Sequence, residues 1–142
     1  MTLEGLLLSI GELAINEKLV HFAGAGGSLY EINDLTIRDY PILYISPTGV
    51  HRVEENITFY SLSIFYIDRL TEDSSNGINI HSTAMEQLKN LITKIPDIEG
   101  VTDVATDYTI QLFTETERMK DRCNGAWATI EVGAVNDIIC AY

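Results

Sequence analysis

The longest patterned segment of the chain, residues 56–68, has the composition of a strand in the middle of a sheet. Successive residues of a strand point to opposite faces. One face would therefore carry Tyr60, Leu62, Ile64 and Tyr66, and the other Phe59, Ser61, Ser63, Phe65 and Ile67. Because aromatic and β-branched residues occur on both faces, we expect both to be covered, at least at the strand ends. The segment predicts a sheet with this strand inside it.

Four other segments have strand patterns. Residues 39–46 would enter a strand at Pro41, where a missing amide hydrogen bond is tolerated. In residues 107–116, Tyr108, Ile110 and Leu112 alternate with polar residues, which indicates one solvent-exposed face. Residues 125–132 alternate between two sets, one with Ala126, Ala128, Ile130 and Val132, the other with Trp127, Thr129 and Glu131. A short apolar run, 138–142, is a candidate edge strand.

The first twenty residues have helical periodicity. Apolar side chains recur at spacings of three and four from Leu3 to Val20, and Thr2 is a candidate N-cap. The glycine cluster at 24–27 is expected to end this helix as a loop. It follows a helix and lacks a lysine followed by Ser or Thr, so it does not have the pattern of a phosphate-binding loop.

A second helix is predicted over residues 78–95, with its apolar stripe formed by Ile80, Ala84, Leu88, Leu91 and Ile95. Two starting points are open. Thr83 and Glu86 would form a capping box if the helix began late, whereas the stripe favours a start near Ile78. Pro96 ends the helix, because the residue before a proline is disfavoured in helical geometry.

This order of elements predicts one α+β domain over residues 1–142. We expect a mainly antiparallel sheet of about four to five strands, packed by an N-terminal helix and one long central helix. Parallel βαβ winding is not the expected pattern. Open sheet edges in such a fold are templates for pairing with another copy.

Composition argues against several functions. The net charge is −12, and the chain has only 9 Lys and Arg. A surface that binds nucleic-acid backbones requires clustered Lys and Arg, so this composition argues against such a surface. No apolar stretch approaches the roughly 20 residues that span a bilayer, so we expect no membrane contact. Glu4 and Glu12 interrupt the leucine-rich start, and we expect no targeting peptide.

No catalytic, cofactor or metal site is predicted. Cys123 and Cys140 lack a CxxC spacing, and although they could bridge strands, reduced thiols are expected. The histidines are far apart in sequence, and Asp103 with Asp107 has no further ligand nearby. We expect a protein without enzymatic activity.

Two features are candidate subunit contacts. A mixed-charge run contains Glu115, Glu117, Arg118, Lys120, Asp121 and Arg122. It is either a solvated loop or a surface that meets another subunit. Trp127 either anchors an interface or packs beneath a helix.

Several segments together resemble a family of known proteins. They are the N-terminal helix, the strand entry DYPILYIS, the long strand ending in Asp68-Arg69, the helix led by Asn76, and the stretch from Arg118 to Val132 that contains Gly125-Ala126-Trp127-Ala128. With these features the chain resembles bacteriophage tail-terminator or tail-completion proteins. It is similar to versions from phages of gut Bacteroidetes, including the neck ring proteins of crAss-like phages.

The resemblance implies a structural virion protein without cofactors. Such a protein would form a ring of six or twelve copies at the head–tail connector or the top of the tail. Adjacent proteins would be a portal-side adaptor or tail proteins, and genomic DNA would pass through the lumen without sequence-specific binding. The protein would be assembled in the host cytoplasm and reside in the virion. A soluble adaptor domain and a small α+β enzyme are the alternatives.

Overall fold

The computed structural model describes residues 1–27, 39–105, 107–115 and 121–136. These residues form helices α1 (Leu3–Asn16) and α2 (Gly77–Lys94), and a short 3₁₀ helix (Ile95–Asp97) follows α2. The strands are β1 (Phe22–Ala25), β2 (Ile42–Pro47), β3 (Arg52–Glu54), β4 (Ile57–Arg69), β5 (Val101–Val104), β6 (Ile110–Glu115) and β7 (Cys123–Val135). The α+β class and the two predicted helices are confirmed.

The strands form one seven-stranded sheet in the order β1-β2-β4-β7-β5, with β3 paired to β4 and β6 paired to β7. Only β1 and β2 are parallel among these pairs. The sequence predicts about four to five strands, and the strands that it does not predict are β1, β3 and β5. They contain 4, 3 and 4 residues, which is too short to show an alternating pattern.

The predicted central strand is β4. It pairs with β7 along its whole length, from Ile57 opposite Val135 to Arg69 opposite Cys123. On its other side, β3 pairs with residues 57–59 of β4 and β2 pairs with residues 62–67. Over these residues β4 has a strand neighbour on both sides, so its backbone hydrogen bonds there are made within the sheet.

Both helices cover the same face of the sheet. The predicted stripe of α2 is buried, and so are the predicted inward residues of β7, which together comprise Ile80, Ala84, Leu88, Leu91, Ile95, Ala126, Ala128, Ile130 and Val132. Leu6, Ile10 and Ala14 of α1 complete this layer. Burial of this apolar surface is the main force that holds helices to sheet.

A second cluster lies on the other face, toward one end of β4. Its buried members are Ile42, Tyr44, Ile67 and Cys123, and Phe22, Tyr40, Phe65 and Phe113 pack against them. The expectation that both faces of the central strand are covered at a strand end is confirmed. This cluster fixes the corner where β1, β2, β4 and β7 meet.

The predicted end of the first helix is wrong. Helix α1 ends at Asn16, and Lys18 follows it in the left-handed conformation with φ of 59°. The Leu19 amide donates to the Ala14 carbonyl and the Lys18 amide to the Ile15 carbonyl, which is a Schellman motif with lysine at the usual glycine position.

The glycine cluster therefore does not end the helix. Gly24 belongs to β1, which lies beside α1. A Cβ added to Gly11 would lie 3.2 Å from that of Ala23, and one added to Gly24 would lie 3.4 Å from the Tyr44 ring. Small residues thus allow α1, β1 and β2 to approach closely. Tertiary packing, and not local turn chemistry, explains these glycines.

Helix α2 begins at Gly77, which confirms the earlier of the two predicted starts. A capping box at Thr83 and Glu86 is therefore wrong, because both residues lie inside the helix. The run 138–142, predicted as an edge strand, lies outside the described residues.

Candidate functional site

The sheet ends in open strands on opposite sides. Within the described residues, β1 has one strand neighbour, β2, and β6 has one, β7. A strand at a sheet edge presents unpaired backbone N–H and C=O groups that another chain can bind. One helix accompanies each of these edges, since α1 packs on β1 and α2 packs on β7 beside β6.

At the β1 edge, three exposed residues of α1 form a stripe, which we call the first rim: Leu8, Glu12 and Ile15. Their spacing of i, i+4 and i+7 places them on one side of the helix. The Leu8 side chain is 61% exposed. The first rim borders a groove of about 160 Å³ whose floor includes Gly11 and Ala23. Apolar side chains therefore face solvent beside an open strand.

Among the described residues, Glu12 is the only charged one that lines this groove. Within the described part of the chain, no hydrogen bond or ion pair engages its carboxylate. An unpaired acid between two exposed apolar side chains would complement a partner that presents a cation among apolar groups.

At the β6 edge, α2 presents a second stripe, which we call the second rim: Ile78, Met85 and Lys89. Ile78 is 86% exposed, and Met85 is exposed as well. The spacing of i, i+7 and i+11 again places the three residues on one side of the helix. Lys89 forms an ion pair of 2.6 Å with Glu86 one turn earlier.

Contacts between α2 and β6 hold the second rim in place. The His81 ring lies with Nε2 3.0 Å from the Phe113 carbonyl oxygen, which accepts the hydrogen bond. Leu112 follows Ile110 on the helix-side face of β6, yet it is 50% exposed. The sequence pattern predicts that Leu112 is buried with Tyr108 and Ile110. The structure exposes half of it because β6 is the last strand on this side.

The predicted charged run is described only in part. Glu117, Arg118 and Lys120 lie outside the described residues, and so does the side chain of Glu115, whose backbone ends β6. Nothing in the structure tests whether these residues contact another subunit.

Asp121 and Arg122 make contacts within the chain. The Tyr40 hydroxyl donates to Asp121 Oδ2 over 2.8 Å, and the Asp121 side chain is 15% exposed. The Arg122 guanidinium donates to the Glu72 carbonyl oxygen and to Ser74 Oγ. The Arg122 bonds join the segment before α2 to the residues just before β7, and the Tyr40 bond joins those residues to the segment before β2. They show a structural role, and the predicted interface role of both residues stays a prediction.

Trp127 lies on the sheet face opposite the helices. It is half-buried and stacks on Phe65, with ring centroids 5.6 Å apart and an interplanar angle of 21°. Trp127 packs beneath neither of the two described helices, because both cover the other face. The interpretation that it anchors an interface stays open.

Titratable groups beside the second cluster are held in their protonated forms. Burial, followed by the charges of Asp121 and Asp68, raises the pKa of the Cys123 thiol to about 11. Burial, together with bonds to Cys123 and Asp121, raises the pKa of Tyr40 well above its usual range. Cys123 is a free thiol, as expected. A buried thiol with a raised pKa is a poor nucleophile.

The described residues contain no group of three or more His, Cys, Asp or Glu that could hold a metal ion. Asp103 and Asp107, the predicted acidic pair, are both exposed. Neither described helix is long and apolar enough to cross a membrane.

The comparisons with known proteins give no family assignment. No protein-family model matches the sequence, and the search of curated proteins finds no significant relative. Inferences about function therefore rest on the geometry of the two rims and on the residues of the chain.

Proposed function

We propose that the protein is a structural virion subunit that forms a homo-oligomeric ring at a bacteriophage head–tail connector or at the top of the tail. Genomic DNA passes through the lumen of this ring. The ring contains six or twelve copies, and its neighbours are a portal-side adaptor or tail proteins. The subunit catalyses no reaction. Its role is to connect the proteins on either side of the ring.

One observation carries the proposal: exposed apolar stripes and open strands lie at opposite edges of one small sheet. A closed ring requires two different surfaces on each copy, because every subunit binds its neighbours head to tail. The first rim at β1 and the second rim at β6 are such a pair of surfaces. A single patch would instead support a two-fold dimer.

Two further features of the chain support the proposal. The segments that resemble tail-terminator proteins include most of β2, β4 and β7. The net charge of −12 would also keep an acidic lumen from adhering to a passing polyanion. Neither feature requires a bound cofactor or a binding pocket.

The proposal is tested by light scattering and negative-stain electron microscopy of the purified protein over a range of concentrations. We expect closed rings with an open lumen. Leu8→Glu should prevent their formation because it places a carboxylate in the rim. Val53→Glu is the matched control, since Val53 is 68% exposed on β3, outside both rims.

Other outcomes would contradict the ring. A protein that remains monomeric at every concentration and ionic strength argues against it. A discrete two-fold dimer would favour a soluble adaptor domain. If rings form equally well with Leu8→Glu, the first rim is not part of the subunit interface, and the interface lies elsewhere on the subunit.

A further inference from the structure

We propose that β6 of one copy pairs with β1 of the next copy as antiparallel strands, with Leu112 directly opposite Ala23. This inference rests on the proposed ring and names the strands that would close it. The ring would then contain one continuous sheet, to which every copy contributes its own strands. The partner at each sheet edge is thus a second copy of this chain.

The directions of the two edge strands support antiparallel pairing. Strand β1 is parallel to β2, and each later step across the sheet, from β2 to β4, from β4 to β7 and from β7 to β6, is antiparallel. Strands β1 and β6 therefore run in opposite directions within one copy. Rotation about a ring axis parallel to the strands preserves these directions, so β6 would meet β1 of the next copy in the antiparallel sense.

The pairing of the strands places Leu112 and Ala23 in one row across the sheet. Leu112 is opposite Ala126 of β7, and Ala126 is opposite Tyr66 of β4. Tyr66 is opposite Leu43 of β2, and Leu43 is opposite Ala23. The same rotation continues this row into the next copy, and it puts Leu112 of one copy opposite Ala23 of the next.

The side chains at the two ends of this row are complementary in size. Leu112 is large and 50% exposed. Ala23 is small and forms part of the floor of the groove beside the first rim. The groove has a volume of about 160 Å³, and a cavity of about 150 Å³ is large enough to hold benzene. One leucine side chain therefore fits into the groove.

Helix α1 of the next copy would cover Leu112. Within one copy, α2 packs on β7 and leaves β6 at the edge of the sheet. Helix α1 packs on β1, so it would lie on the same face of the continuous sheet as α2 and close to β6 of the adjoining copy. Its residues Leu8 and Ile15 line the groove and would contact Leu112. Burial of these exposed apolar side chains would favour assembly.

The opposite face of the sheet has a second row that supports the same register. This row begins with Phe22 of β1, passes through Ile42, Ile67 and Gly125, and ends with Phe113 of β6. Both phenylalanines pack on the second cluster and are partly exposed. The rotation that brings Leu112 to Ala23 also places Phe113 opposite Phe22 of the next copy. Aromatic pairs across neighbouring strands are stabilising, so each face of the new strand pair would have an apolar contact.

Disulfide cross-linking tests this register. Residues directly opposite in an antiparallel pair have Cα atoms about 4.5–5.5 Å apart, which is within the range that a disulfide bridges. Ala23→Cys and Leu112→Cys are combined in a chain that also carries Cys140→Ala. The remaining native thiol, Cys123, is buried and reacts poorly. After oxidation with copper phenanthroline we expect a ladder of covalent multimers that ends at the copy number of the ring.

Matched cysteine variants are the controls. Each single variant should give no ladder, and a mixture of the two should give covalent dimers only, because each copy then carries one introduced thiol. Leu112→Cys with Val53→Cys should also give no ladder, since Val53 is on β3, outside the two pairing strands. Leu112→Cys with Ala25→Cys should cross-link more slowly, because Ala25 lies two residues further along β1.

A substitution at the strand edge tests the contact without cross-linking. Leu112→Glu should require a roughly tenfold or higher concentration to form rings, because it replaces an apolar contact with a carboxylate. Val53→Glu adds the same charge at a site that is 68% exposed and should leave ring formation unchanged. Circular dichroism of both variants should show the native fold, which separates loss of assembly from loss of folding.

The results distinguish this inference from the proposed function. Rings from the unmodified protein, together with a ladder from the chain that carries Ala23→Cys and Leu112→Cys, support the strand pairing. Rings without such a ladder, or rings that Leu112→Glu leaves unaffected, overturn the strand pairing alone. Absence of rings from the unmodified protein overturns the proposed function.

Discussion

Gly125 of β7 lies against the backbone of Tyr66 in β4, so that a Cβ added to Gly125 would be 2.0 Å from the Tyr66 carbonyl oxygen. The same atom would lie 2.8 Å from the Phe113 ring. The central pair of strands therefore requires glycine at this position, because a side chain would push β7 away from its neighbours.

Gly125→Ala should accordingly be strongly destabilising. Overpacking typically costs about 1–3 kcal/mol, and contact with backbone places this site at or above the upper end of that range. Urea unfolding followed by circular dichroism measures the change. Gly49→Ala is the control, because no atom lies within 4 Å of its added Cβ. Similar stabilities of the two variants would contradict the close approach.

A Trp127 variant can distinguish packing within the subunit from contact with another subunit. Trp127→Ala removes the stack on Phe65 and should lower the free energy of unfolding by about 1–3 kcal/mol, since the side chain is half-buried. Thr129→Ala, on the same face, should have a smaller effect. If Trp127 is instead an interface anchor, Trp127→Ala will prevent ring formation while leaving the stability of the subunit unchanged.

Lys18 should be a site where glycine is stabilising. Its φ of 59° lies in the left-handed region that side chains disfavour, and it occupies the position where Schellman motifs usually have glycine. Lys18→Gly is expected to raise the free energy of unfolding by about 1 kcal/mol. Lys18→Ala keeps the strain and should bring no such gain. Equal stabilities of the two variants would exclude strain at this turn.

Alkaline pH should destabilise the fold through Cys123. The folded thiol has a pKa of about 11, raised by burial from the usual 9.0, so the unfolded chain releases this proton first. The stability contributed by the protonated thiol is present below about pH 9 and is lost as pH rises toward 11. Tyr66, whose pKa burial raises to about 12, acts in the same direction at higher pH.

The measurement is urea unfolding at neutral pH and near the folded pKa of the thiol. Cys123→Ala is the control, since it removes this ionisation while keeping a small apolar side chain. Its stability should fall less steeply with pH. An equally steep fall in the variant would assign the pH dependence to other groups.

Long repeating patterns made much of the fold predictable. The buried stripe of α2 and the inward face of β7 follow from periods that recur over many residues. The Phe22–Ala25 strand has no such pattern, and its pairing with β2 depends on packing against α1. Likewise, Lys18 ends α1 although local rules favour glycine.

The candidate interface was less accessible to sequence analysis. Leu8 and Ile15 fall outside the main apolar stripe of α1, and a second stripe at i, i+7 was the available signal. Its position at a sheet edge could not be read from sequence, because only the fold places α1 beside β1. The exposure of Leu112 depends in the same way on β6 being the last strand.

Ionic strength should control assembly. Each copy carries a net charge of −12, so copies repel one another at low salt. The screening length falls from about 30 Å at roughly 0.01 M salt to about 8 Å at roughly 0.15 M, which removes most repulsion between distant charges. The apolar side chains of the rims carry no charge, so salt does not screen the contacts that they would make. The ring fraction in light scattering is therefore expected to rise over this range of salt. A ring that is most stable at the lowest salt would mean that exposed ion pairs, and not apolar contacts, hold the copies together.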